Sequence, residues 1–209
     1  MKASRRFAGY VLVLSVVLVA SPLGCSKKAD QSTPEAAVQS FFEAIMDGDG
    51  DRAASCVHGS DEAKDFVRGM ANVTGAMKDF EEAVKAEWGD EGWAYFSDGG
   101  GGMTMDTDLE KLEETKARIE GDKAYVTVPG DDNETVLVRK DGKWYIDTNN
   151  KADFPSGKEA KQGTKMMNQM AEMVREKQDR IGAEGVTAES LSQEFGMGMM
   201  AIMTGAMGD

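Results

Sequence analysis

Thioether sulfur is the most concentrated chemistry in this chain. Nine of its fifteen methionines lie between Met166 and Met207, and Met197, Met199, Met200 and Met203 fall within seven residues. Soft sulfur ligands select Cu(I), so in an oxidising compartment these four are the ligands that extracytoplasmic copper binding would use. The same residues at helical spacing form an adaptable apolar surface for the domain itself, a second copy or a varied partner, and this reading outweighs copper. No resident metal and no cofactor is expected. Asp47-Gly48-Asp49-Gly50-Asp51 invites a calcium reading, but a loop starting at Asp47 needs Gly at its sixth place and Glu at its twelfth. The chain has Arg52 and His58 there. The run reads instead as a helix terminator followed by the next helix cap. His58 is the only histidine, and Cys56-x-His58 supplies two zinc ligands with no second pair to complete the site. Nothing around Cys56 has the pattern of a nucleophile motif, so it reads as a small buried hydrophobe on a helix and His58 as a loop residue near a helix start. Asp131-Asp132-Asn133-Glu134 reads as an exposed hairpin loop.

Helices come first along the chain and strands later. Thr33 can cap, Pro34 suits the first helical position, and Val38, Phe41, Phe42 and Ile45 share a face before Gly48 ends the run. A shorter helix is expected from Asp51 to Val57. A third starts at Ser60 with the stripe Phe66, Met70, Val73, Met77, Phe80 and Val84, and Trp88 beyond, which predicts one long buried side. Trp93, Tyr95 and Phe96 are expected in a first strand, followed by the loop Gly99 to Gly102. From Thr115 the period becomes two: Ala117 and Ile119, then Ala124, Val126 and Val128, then Val136 and Val138, then Trp144 and Ile146. Asp141-Gly142 between alternating apolar residues is a strong hairpin signal. Ser156 to Glu159 has capping-box spacing before a helix carrying Met166, Met167, Met170, Met173 and Ile181. Thr187 can cap a last helix with Leu191, Phe195, Met199, Ile202 and Met203 facing one way. The class is α+β, with Val38, Phe41, Phe42, Val126, Val138, Trp144 and Ile146 as the expected core.

The chain carries 24 basic and 37 acidic side chains, a net charge of −13. That sign disfavours nucleic acid as a partner and sets the body of the protein against anionic lipid. At the N-terminus Lys2, Arg5 and Arg6 precede an uncharged run from Phe7 to Ala20, and Ser21-Pro22-Leu23-Gly24 leads into Cys25. This order resembles a bacterial lipoprotein signal, and the resemblance implies that Cys25 becomes the acylated first residue of an exported chain held in the cell envelope. The run is too short to span a bilayer, so the anchor is lipid. Ser26 after the cysteine resembles the signal for outer-membrane sorting. Removing residues 1–24 takes away three basic and no acidic side chains, lowering the charge from −13 to −16. Were the leader cut by an ordinary peptidase, Cys25 and Cys56 could pair. The expected organisation is a signal segment 1–24, a tether 25–32, an α+β domain 33–149 and a helical Met-rich extension 150–209.

Thr33-Pro34-Glu35-Ala36-Ala37-Val38 running to Phe41-Phe42-Glu43-Ala44, the Gly48-Asp49 pair, and Asp141-Gly142-Lys143-Trp144-Tyr145-Ile146-Asp147 together resemble the nuclear-transport-factor-2-like superfamily, and its small lipid-anchored bacterial members in particular. Over roughly Thr33 to Thr148 the resemblance implies a curved antiparallel sheet wrapped around the N-terminal helices, cone-like, with a pocket at its wide end. Phe42, Tyr95, Tyr125 and Tyr145 are the pocket candidates. Some relatives in such a cone abstract a proton with a sunken carboxylate helped by a tyrosine, which would make this chain an isomerase- or hydratase-like enzyme. No acidic residue here matches that position, so the favoured reading is a non-catalytic module for an unknown protein or a small apolar ligand, with a homodimer among the expected assemblies.

Overall fold

The computed structural model describes residues 28–97, 112, 114–127, 134–149 and 154–206. Cys25 and the signal segment, Gly99 to Gly102, Val128, Asp131 to Asn133 and Met207 lie outside the described residues.

Helix α1 (Pro34–Met46) begins as its sequence dictates. Thr33 Oγ1 accepts a hydrogen bond from the Ala36 amide, Pro34 fills the first turn, and Ala37, Val38, Phe41, Ala44 and Ile45 form the buried face. Gly48, at φ +70, turns the chain, and Asp49 caps the short α2 (Gly50–Ser55) by accepting from the Arg52 amide. That helix ends two residues before the expected Val57, because Val57 and His58 form strand β1 (Val57–His58). Helix α3 (Asp61–Ser97) follows, broken at Gly89, where φ 72 and ψ −174 lie outside the helical region.

Strands β2 (Lys116–Glu120), β3 (Lys123–Thr127), β4 (Glu134–Lys140) and β5 (Lys143–Asp147) form an antiparallel meander, with β1 added in parallel along β5. The open mixed sheet has the order β1-β5-β4-β3-β2. Asp141 and Gly142 both adopt positive φ in the β4–β5 turn, which closes the hairpin the sequence predicts. The chain ends in an antiparallel pair, α4 (Lys158–Gln178) and α5 (Ala188–Ala206). No helix among the described residues is long and apolar enough to cross a membrane.

Two apolar clusters hold these layers. In the first, Val38, Phe41, Ile45, Val67 and Ala71 pack against Val126, Leu137, Trp144 and Ile146. In the second, Val73, Phe80, Val84 and Phe96 meet Met170, Val174, Leu191, Phe195 and Met199. Helix α3 is therefore buried on two sides, where a single long stripe was expected. Its N-terminal half packs on α1 and α2, with Phe66 and Gly69 already against α4, and its middle serves α4 and α5. The aromatic run read as a strand belongs to this helix. Trp93 and Phe96, three residues apart, share a helical face and close on Phe80 at centroid distances of 6.4 and 5.1 Å.

Strand β4 reverses one expectation. Leu137 is fully buried and Val138 only half-buried, since Leu137 pairs with Ile146 and Ala124 on the helix-facing side. Ile119, on the edge strand β2, is 56% exposed. The cap of α4 also differs, with Gly157 at φ 55 taking the N-cap position without any side-chain hydrogen bond. Thr187 does cap α5, its Oγ1 accepting from the Ser190 amide while Ser190 Oγ accepts from the Thr187 amide.

Candidate functional site

The sheet separates the residues expected to line a pocket. Ala124 and Val126 of β3 and Trp144 and Ile146 of β5 face the helices, so the alternating Tyr125 and Tyr145 stand on the opposite face. There Arg118 lies over the Tyr125 ring at 4.3 Å, and the Tyr145 ring is 6.5 Å from that of His58. Phe42 is on the helix side, edge-on to Phe41 at 5.4 Å and half-buried against the first cluster. Tyr95, on the last turns of α3, is 51% exposed. The four do not converge on one space.

Several acidic residues are engaged in structural contacts. Asp47 pairs with Arg52 at 2.8 Å and Asp49 caps α2, so the aspartate run ends one helix and starts the next. Asp147 Oδ1 accepts from the amide and the side chain of Asn149. Among the described residues every carboxylate is at least partly exposed, and no three His, Cys, Asp or Glu side chains come together as a metal site. His58 sits in β1, its carbonyl accepting from the Thr148 amide and hydroxyl, and so belongs to a strand edge rather than to a loop. Cys56 is fully buried, and burial pushes its thiol up to about 11, which makes it a poor nucleophile.

Among the described residues, a concave feature lies between α4 and α5. Gln162, Lys165, Met166 and Gln169 form one wall and Ala201, Ile202 and Gly205 the other, enclosing an open groove of about 400 Å³. That volume is in the range of ligand-sized clefts. Gly198 packs on the Met173 side chain, and Glu194 pairs with Lys177 and Arg180 to fix the N-terminal part of α5 against α4. Beyond Glu194, α5 carries no charged residue through Ala206. Met197 and Met200 are 64% and 68% exposed and Met203 is 41% exposed, whereas Met199 turns into the second cluster. The four thioethers that a copper site would use thus divide between the outside and the inside of one helix.

Gln162 and Gln169 escaped the sequence reading because isolated glutamines carry no motif. The signal for the groove was Ala201 and Gly205, two small residues four apart that leave room beside α4. No protein-family model, curated protein or solved structure matches this chain.

Proposed function

We propose that this chain is a lipid-anchored, non-catalytic binding module of the cell envelope, whose α4–α5 face receives the apolar side of a helix from another protein. The observation that carries the reading is the uncharged end of α5. In a chain of net charge −13, it presents Met197, Met200 and Met203 to solvent, while Ala201, Ile202 and Gly205 on another flank of the same helix end line an open groove. Thioether side chains adapt to irregular apolar partners, and a cleft between two antiparallel helices has the shape to seat a third. With no charge on this end of α5 and Lys165 on the facing α4 wall, a partner can dock without facing the acidic remainder of the molecule.

The anchoring half of the proposal rests on the sequence around Cys25. The order of two helices, a short strand, a long helix and a meander supports reading residues 33–149 as a nuclear-transport-factor-2-like, cone-type domain. Helices α4 and α5 then extend that domain through the second cluster.

A photo-crosslinking residue placed at position 200 of the native, envelope-located protein tests the docking face. One discrete protein adduct is expected there and none from position 78, on the far side of α3. Equal or absent adducts at the two positions overturn the reading. The anchor is read separately from the intact mass, which should show an acylated chain beginning at Cys25.

A further inference from the structure

We propose that the turn end of the sheet lies against an anionic phospholipid surface, which gives the anchored molecule a fixed orientation. The inference rests on the lipid-anchor reading of Cys25 and adds to it the face that meets the bilayer.

The described chain begins close to where the sequence would place its anchor. Gln31 is buried, its carbonyl accepts from the Trp144 amide, and its side-chain amide donates to the carbonyls of Trp144 and Ser55. The Asp30 amide donates to Ser40 Oγ, and the same hydroxyl donates back to the Asp30 carbonyl. Ala29 packs on the first cluster. The segment expected as a free tether is thus fastened to the domain from Ala29 onward. Only three residue steps separate Cys25 from Lys28, a reach of at most roughly 11 Å when fully extended. An acyl chain on Cys25 therefore holds this end of the domain within about one Debye length of the headgroups.

The end so held differs in charge from the first three helices. Trp144, the partner of Gln31, follows Lys143 at the β4–β5 turn, and the β2–β3 turn lies alongside, its Asp122 carbonyl accepting from the Arg139 amide. Lys28, Lys123, Arg139, Lys140 and Lys143 are all exposed at this end, together with the acidic Asp30, Glu120, Asp122 and Asp141, so that five positive side chains stand against four negative ones. Between Thr33 and Ser97, on the helical side, fourteen acidic side chains stand against five basic ones. An anionic surface repels the second region strongly and the first hardly at all, so the charge that sets the whole body against such a surface also orients it. Lys140 and Lys143 are directly opposite each other across the hairpin. Like charges in that position destabilise a strand pair, and the arrangement becomes favourable where a negative surface faces both.

The test uses the full acylated protein in vesicles of phosphatidylethanolamine with phosphatidylglycerol, and in neutral phosphatidylcholine vesicles as reference. Amine labelling is read residue by residue by mass spectrometry. Lys28, Lys140 and Lys143 should react about threefold or more slowly on the anionic vesicles, and raised salt should remove the difference. Lys116, at the opposite end of β2, and Lys78 on α3 should react equally on both. Lys143 reacting as fast as Lys116 on anionic vesicles overturns the orientation. A Lys140→Glu, Lys143→Glu variant should remain in the vesicle fraction and lose the protection of Lys28. Retained protection in that variant would show that charge does not set the orientation. A chain carrying no acylglycerol on Cys25 removes the anchor and the orientation together, whereas an acylated chain without lysine protection removes the orientation alone.

Discussion

Gly48 and Gly75 bring two backbones into contact. A methyl group on Gly48 would lie 2.9 Å from the Gly75 Cα, and one on Gly75 would lie 3.0 Å from the Gly48 Cα. The α1–α2 turn can thus rest directly on α3, which sets how closely the first helices approach the element that both clusters share. A helical glycine replaced by alanine ordinarily gains about 1 kcal/mol of helix propensity, but here the added carbon meets main chain, which cannot rotate away. Gly75→Ala should therefore destabilise the protein by about 1–2 kcal/mol net, read as a lower urea midpoint at unchanged slope. Gly48→Ala should cost more, since its φ of +70 adds strain to the same clash. An unchanged midpoint in both variants would mean the two segments are not packed this closely.

Leu137 and Val138 are adjacent in β4, and only the first faces the core. Leu137→Ala should cost about 2–5 kcal/mol, because a fully enclosed side chain leaves a cavity. Val138→Ala, on the half-solvated face, should cost under about 1 kcal/mol. Equal losses at the two positions would show that the strand is shifted by one residue, since such a slip exchanges the faces.

That pair also shows where the sequence stopped being readable. Val136, Leu137 and Val138 form an unbroken apolar run, so alternation alone leaves two phases open. The choice is made by pairing with Ala124 and Ile146, a long-range fact. The first helix, the Asp141-Gly142 turn and the cap at Thr187 were legible because each is encoded within a few residues. The aromatics at Trp93 and Phe96 were misread because β propensity yields to packing, and their partner Phe80 lies more than ten residues away. Of the docking face, the methionines were visible in composition, but which of them turn outward depends on where α4 lies. Met199 points in and Met200 out, although they are neighbours in sequence.

Cys56 has no exposed surface, and its Sγ donates to the Arg52 carbonyl at 3.4 Å. Burial raises its thiol to about 11, while in the unfolded chain it ionises near about 8.5. Both states keep the proton at neutral pH, so there is no effect there. As pH rises from about 8.5 toward 11, the unfolded chain releases a proton that the folded one retains, and stability falls. In a Cys25→Ala background, iodoacetamide should leave the native protein unmodified at neutral pH and alkylate it fully in denaturant. The alkaline decline in the urea midpoint should be shallower in Cys56→Ala. Native labelling at the rate of a free thiol would place Cys56 at the surface instead.

Arg52 is the charged side chain buried most deeply among the described residues. Its side chain is 5% exposed, it pairs with a half-exposed Asp47 at 2.8 Å, and its Nε has no hydrogen-bond partner. The guanidinium therefore bears a desolvation cost that one carboxylate only partly offsets. Removing the two partners should have opposite consequences. Asp47→Ala leaves an uncompensated buried cation and should destabilise by about 3 kcal/mol or more, with Asp47→Asn intermediate because it keeps an acceptor. Arg52→Met keeps much of the packing volume, removes the unsatisfied donor, and should leave the urea midpoint equal or higher, the lost Asp47 pair being half in water already. A large loss in Arg52→Met would mean that the Nε is satisfied in solution by water, and that the ion pair holds the α1–α2 turn more firmly than its geometry implies.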